Sequence, residues 1–146
     1  MNIPYYNNKK IWITGASSGI GKALAIELSK HGAYMILTAR SKDKLEETKA
    51  ALHNPEKSEI ILLDMADSGE IDSVTNKVLD QYGHIDILIN NAGISQRSLT
   101  LNTEMKVYHK LMNINYFGVI HMSKLLLPSM VAKKSGHVIT ITSVNG

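Results

Sequence analysis

The chain has 146 residues, 44% of them hydrophobic and 20% charged, and no cysteine: about one domain's worth, long enough to bury a core, and without the thiols that a disulfide framework or a thiolate metal site requires. Its 16 Lys and Arg against 13 Asp and Glu give a net charge of +3, but the longest basic runs are only the pairs Lys9-Lys10 and Lys133-Lys134. Scattered lysines argue for a solvated surface rather than the concentrated basic face that nucleic acid demands.

Residues 1–8 read as an N-terminal extension with no apolar run of the kind found in a signal peptide. Two Tyr-x-x-x-Lys spacings, Tyr5 to Lys9 and Tyr6 to Lys10, fall here beside Asn7 and Asn8. Those asparagines favour a turn over a helix, so both spacings read as coincidence. From residue 9 onward, short apolar runs alternate with longer amphipathic stretches. Strands are expected at 10–14, 34–38, 59–63, 85–89 and 137–142. Each is nearly continuous in Ile, Val, Leu, Met or aromatic residues, the pattern of strands covered on both faces in a parallel sheet.

Helices are expected between them. The first covers 19–31, closed by Gly32. The second covers 41–52, with Ser41 as N-cap and Pro55 beyond its end. The third covers 67–82, opened by a capping-box-like Asp67-x-x-Glu70 and closed by Gly83. The fourth covers 103–134, with a kink or break near Pro128 and with Lys133 and Lys134 against the helix dipole before Gly136. Its most apolar part, 119–132, is interrupted by His121, Ser123, Lys124 and Pro128, too short and polar to span a bilayer. The six histidines show no ligand spacing, and no metal site is expected. The chain is expected to be cytoplasmic and to engage neither nucleic acid nor membrane.

The order βαβαβαβαβ with right-handed crossovers gives an α/β, Rossmann-like doubly wound parallel sheet. A strand order of 3-2-1-4-5 places a ligand outside the carboxyl ends of the first and fourth strands. Residues 9–146 would form this dinucleotide-binding domain, incomplete at its C-terminus.

Just after the first strand, Thr14-Gly15-Ala16-Ser17-Ser18-Gly19-Ile20-Gly21 leads straight into a helix. Gly15 lets the chain turn sharply, Gly19 removes a Cβ that would hold a pyrophosphate off the backbone, and Gly21 lets the helix approach the sheet. The helix N-terminus then points amides and a positive partial charge at the phosphates. The candidate cofactor contacts in this loop are Gly15, Ser17, Ser18, Gly19, Ile20 and Gly21.

The spacing Gly-x-x-x-Gly-x-Gly resembles the cofactor motif of the short-chain dehydrogenase/reductase family. Three further stretches are similar to that family's segments: Asn90-Asn91-Ala92-Gly93 after the fourth strand, Asn115-Tyr116-Phe117-Gly118, and Ile141-Thr142-Ser143-Val144 at the end of the fifth strand. The resemblance runs from Lys9 to the end of the chain. It implies that Asp64 holds an adenine amino group with Met65 beside the ring. It implies too that Asn90 faces the adenosine ribose, with Ala92 and Gly93 beside the cofactor, while Asn91 ties strands together. It implies carbonyl–alcohol interconversion by hydride transfer, with a small-molecule carbonyl or alcohol as substrate. Ser143 would hydrogen-bond the substrate oxygen and Asn115 would hold a water on the proton path.

At the end of the second strand, where a carboxylate would bind the ribose 2′-hydroxyl of NAD, the sequence reads Thr38-Ala39-Arg40. Arg40 offers a planar fork to a 2′-phosphate, so the expected cofactor is NADP(H) rather than NAD(H). The tyrosine and lysine that the family places after its serine do not occur between Ser143 and Gly146. The chain is therefore expected to be part of a longer enzyme and inactive alone; the alternative is an NADP(H)-binding module without chemistry. The loop 94–102 should help to shape the substrate pocket. Val119, Ile120, Met122, Leu125, Leu126, Leu127, Met130 and Val131 leave the fourth helix apolar nearly all round, so a homo-oligomer is expected.

Overall fold

The computed structural model describes residues 3–143; Val144 lies outside the described residues. Five strands, β1 (Lys10–Thr14), β2 (Tyr34–Ala39), β3 (Ser58–Leu62), β4 (Ile87–Asn90) and β5 (His137–Thr140), pair in parallel in the order β3-β2-β1-β4-β5. The helices are α1 (Gly19–Ser29), α2 (Lys42–Ala50), α3 (Ser68–Tyr82), α4 (Met105–Met112) and α5 (Val119–Ala132).

Alternate strand residues point to opposite faces, and two apolar layers result. Trp12, Ile36 and Leu88 pack with Ile71 and Val78 of α3 and with Met122, Leu126 and Met130 of α5. Ile11, Ile13, Met35 and Leu37 pack on the other face with Ala25 of α1 and Leu45 of α2. The near-continuous apolar runs of β1 and β2 thus follow from burial on both faces. Trp12 is fully buried, and its Nε1–H donates to Thr38 Oγ1 at 3.1 Å.

Several local expectations are revised. The long helix is not interrupted near Pro128, which α5 simply contains. Its irregularity is a π-helical segment, Asn113–Gly118, between α4 and α5. The terminator of α5 is Lys134 rather than Gly136: Lys134 takes the left-handed conformation at φ 52°, and the Ser135 amide donates back to the Met130 carbonyl at 3.1 Å. At α3, Asp67 Oδ1 accepts the Glu70 amide at 3.0 Å, but the Glu70 carboxylate accepts the Asp64 amide at 3.1 Å instead of closing a box on Asp67. β5 is not covered on both faces; all four of its residues are exposed. The neighbouring β4 is buried along its whole length, so covering stops one strand short of the sheet edge. No helix is long and apolar enough to cross a membrane among the described residues.

The 3₁₀ turn Pro4–Tyr6 sits at the N-terminal ends of the strands. It is fixed by Asn8 N–H to the Gly32 carbonyl (2.9 Å), by Ile3 N–H to His31 Nδ1 (3.1 Å) and by Tyr6 stacking on His31.

Candidate cofactor cleft and active site

Beyond the carboxyl ends of β1 and β4 lies a cleft of about 600 Å³. Its position follows from the topology, since the crossovers diverge there to opposite sides of the sheet. The glycine loop forms one wall. Gly15 has φ +65°, and a Cβ on it would stand 2.8 Å from Ala92 Cα. Only glycine permits both the turn and the contact. At Gly19, φ is +53° and a Cβ would meet nothing within 4 Å, so the space kept clear there is cleft. No side chain caps α1 at Ser18, which leaves the first-turn amides to face an anionic ligand.

The two glycine-bearing motifs are tied to each other. Asn91 Nδ2 donates to the carbonyls of Thr14 and Gly15, each at 3.1 Å. Thr14 Oγ1 accepts the amides of Asn91 and Ala92, each at 3.0 Å. Asn91 thus ties β1 to β4, the structural job anticipated for it. Thr48 Oγ1 of α2 reaches the Ala16 carbonyl at 3.1 Å, and Ala16 N–H donates to the Thr38 carbonyl at 3.1 Å. The cradle is therefore held from β1, β2, β4 and α2.

Ten of the twelve expected cofactor positions line this cleft: Gly15, Ser17, Ser18, Gly19, Ile20, Arg40, Asp64, Met65, Ala92 and Gly93. Two do not. Gly21 is buried, and a Cβ there would stand 2.4 Å from the Gly15 carbonyl oxygen; its work is close packing beneath the loop. Asn90 is 1% exposed and turns toward α5, where Nδ2 donates to Ser123 Oγ at 3.1 Å. The expectation that its side chain faces a ribose is corrected accordingly. Asp64 uses Oδ1 to accept the Ala66 amide at 2.9 Å and presents its carboxylate to the cleft.

Sequence reasoning missed Ser41, Lys44 and Ile114, which also line the cleft. Lys44 was legible in principle. It lies in the first turn of α2, close behind Arg40, on an element whose start the Ser41 cap already located.

Asn115 lies in the π-helical segment. Its Oδ1 accepts the Ile94 amide at 2.9 Å and its Nδ2 donates to the Ile94 carbonyl at 2.8 Å. One bond at each end of the amide thus ties the side chain to the loop after β4, which it positions. Gly118 ends the segment; a Cβ there would stand 2.4 Å from the Met65 carbonyl oxygen, so the glycine lets the helix approach the cleft floor. Ser143 is exposed, just past β5 on the same side of the sheet. The Ile141 amide donates to the Asn90 carbonyl at 2.9 Å, which aligns the approach to Ser143 with β4. Tyr5 and Lys9 do come together, with Nζ 5.6 Å from the ring centre. They do so at the opposite end of the sheet from the cleft, where Lys10 turns instead to Tyr82, its Nζ donating to the Tyr82 carbonyl at 2.8 Å.

The donor set fits an anionic dinucleotide: bare amides with a kept-clear space beside them, one acid in Asp64, and two cations in Arg40 and Lys44. A family model, short chain dehydrogenase, matches residues 9–146. A human protein, dehydrogenase/reductase SDR family member 7, is 45% identical over 141 residues, covering 93% of this chain and 42% of that one. A dehydrogenase/reductase SDR family protein 7-like from Anopheles gambiae is 42% identical, covering 99% and 48%. The chain thus spans less than half the length of these curated relatives. Among solved structures, a short-chain dehydrogenase from Streptomyces avermitilis superposes with a TM-score of 0.86 at 38% identity, covering 92% of this chain and 49% of that one. A metagenomic short-chain oxidoreductase in complex with NADP gives 0.88 at 29% identity, covering 96% and 63%.

Proposed function

The chain belongs to the short-chain dehydrogenase/reductase family, and from that premise we propose that it is the cofactor-binding part of an NADP(H)-dependent oxidoreductase that interconverts a small-molecule carbonyl and an alcohol. The observation that carries the cofactor choice is Arg40, which lines the cleft at the end of β2 with no carboxylate partner among the described residues. A carboxylate at that position would bind a ribose 2′-hydroxyl and repel a 2′-phosphate; an arginine fork does the reverse. Lys44 adds a second cation. The complex of the metagenomic relative with NADP supports the same choice.

When bound, the nicotinamide supplies or accepts the hydride. The protein's residues bind and orient. The α1 amides hold the pyrophosphate, Asp64 and Met65 border the adenine, and Asn115 fixes the loop that starts at Ile94. The Ser143 hydroxyl donates a hydrogen bond to the carbonyl oxygen of the substrate and stabilises its developing charge. The proton comes from an acid supplied beyond this chain, so residues 1–146 alone should lose at least the ~10²–10⁴ that a placed general acid contributes. The exposed apolar side of α5, with Ile120, Leu127 and Val131, is the surface of a homo-oligomer, and the compartment is cytoplasmic.

Titrating the chain with NADP⁺ and NAD⁺ tests the cofactor reading. NADP⁺ should bind more tightly, and Arg40→Asp should reverse the order. Equal affinities in the unsubstituted chain would refute it. NADPH oxidation with a panel of ketones and aldehydes, by the intact protein beside residues 1–146, tests the reaction: only the intact protein should turn over.

A further inference from the structure

Beside the cofactor cleft lies a second cavity, of about 620 Å³. It opens between the loop after β4 and the outer face of α4. Arg40 and Ile94 line both cavities, so the two meet at those residues. One wall is apolar: Ile94, with Val107 and Leu111 one turn apart on α4, all half-buried. The other is cationic: Lys106 and Lys110, also one turn apart, facing Arg40 across the opening.

The charges there are poorly compensated. Lys106 pairs with Glu104 at 2.8 Å, both side chains being largely exposed. Arg40 and Lys110 have no carboxylate partner among the described residues. Three cations against one carboxylate leave the rim at +2. Like charges one turn apart on a helix repel, and a cation in the first turn, where Lys106 stands, opposes the helix dipole. Lys110, in the last turn, suits the dipole, so the unfavourable charge is concentrated at Lys106 and an anion there would relieve it.

The Arg40 rim of the cavity is also far from the reacting end of the cleft. Arg40 follows β2 and Ser143 lies beyond β5, three strand spacings across the sheet, or about 14 Å. An occupant anchored at Arg40 is therefore held away from Ser143.

We propose that this cavity binds an amphipathic anion, a carboxylate on an extended apolar body, and that its occupant competes with a cofactor 2′-phosphate for Arg40. The apolar chain lies on Ile94, Val107 and Leu111; the carboxylate meets Lys106, Lys110 and the near side of Arg40. A ligand of this kind lowers affinity for NADP(H) and leaves NAD(H) untouched, so an apolar acid would regulate cofactor occupancy. This coupling rests on the cofactor reading above; binding of the acid itself does not.

Calorimetric titration with octanoate, with octan-1-ol and inorganic phosphate as probes of each half of the ligand, tests the proposal. Octanoate should saturate the chain and bind more tightly than either control. Lys106→Gln/Lys110→Gln should weaken it roughly two- to thirtyfold, the effect of losing two exposed ion pairs, with an unchanged circular dichroism spectrum. Saturating octanoate should weaken NADP⁺ and not NAD⁺. No saturable octanoate binding at millimolar concentration, octan-1-ol binding as tightly, or an unaffected double variant would each overturn the site. An equal effect on both cofactors would overturn the coupling through Arg40. Cofactor titrations without octanoate judge the NADP(H) reading on their own.

Discussion

The two sides of the sheet bury their apolar residues to very different degrees. On the β1–β2 side, Ile11, Trp12, Ile13, Met35, Ile36 and Leu37 are all fully buried, with helices on both faces. On the β5 side, Ile139 is 43% exposed, and α5 hides Met122, Leu126 and Met130 while Val131 stays 70% exposed. The glycine loop belongs to the first side and is complete there, braced by Asn91, Thr14 and Thr48. Ser143 belongs to the second, where Val131, Val138, Ile139 and Ile141 leave apolar surface exposed. The glycine-loop cradle therefore lies on the well-packed side, and the serine proposed for the chemistry lies beside an exposed apolar surface.

The largest expected effect tests that contrast directly. Leu37→Ala removes a side chain from the closed core and should cost about 2–5 kcal/mol. Ile139→Ala, at the open edge, should cost less than about 1 kcal/mol. Urea unfolding of both variants reads the difference, and similar losses would show that β5 is as integral to the fold as β2.

The same contrast explains what the sequence could reveal. The strand order and the places of α1, α2 and α3 follow from the sequence, because doubly buried strands and capped helices write their pattern into consecutive residues, whereas one expected helix spans both α4 and α5. The fit at the cleft is of the same kind: the glycines of 15–21 point to a phosphate loop because they leave a strand and open a helix. The misreadings occur where a partner distant in sequence decides. Asn90 carries the same side chain as Asn91, and only the position of Ser123 on α5 turns it away from the cleft. The π-helical segment arises where Gly118 must pass Met65 closely, a contact no local window contains. The exposure of β5 is invisible in His137–Thr140, whose residue types would suit a covered strand equally well.

Asn115 gives a middle-sized effect because it links the two sides, reaching from the helical run below α5 to the loop after β4. Asn115→Ala deletes both bonds to Ile94 in an exposed setting, which should cost about 1 kcal/mol. Hydrogen exchange at the Ile94 amide should accelerate while the amides of β1 and β2 keep their protection. Unchanged exchange at Ile94 would mean that the loop is held by other contacts and that Asn115 does not join the two sides.

The smallest effect lies at the other end of that seam, where Asp86 binds the start of β1 to β4. Its Oδ2 accepts the Lys10 amide at 2.9 Å, and Oδ1 lies 3.4 Å from Lys9 Nζ and 3.6 Å from His84 Nε2. Burial pushes this carboxyl up, but the Lys10 amide, Lys9 and His84 outweigh it and hold it below the ordinary carboxylate value. His84 is also held below its ordinary value, chiefly by burial and then by Lys10 and Lys133, with Asp86 opposing. Both groups are depressed in the folded state, so both contributions to stability are present at neutral pH and are lost as pH falls. The His84 share begins to fall below about pH 6.5 and the Asp86 share below about pH 4. Asp86→Asn removes the second loss and keeps the first, since without the carboxylate His84 becomes still harder to protonate. Stability measured against pH should therefore fall less steeply below about pH 4 in the variant, while the decline near pH 6 persists. Parallel curves for the two proteins across the acid range would show that Asp86 does not hold the β1–β4 seam through its charge.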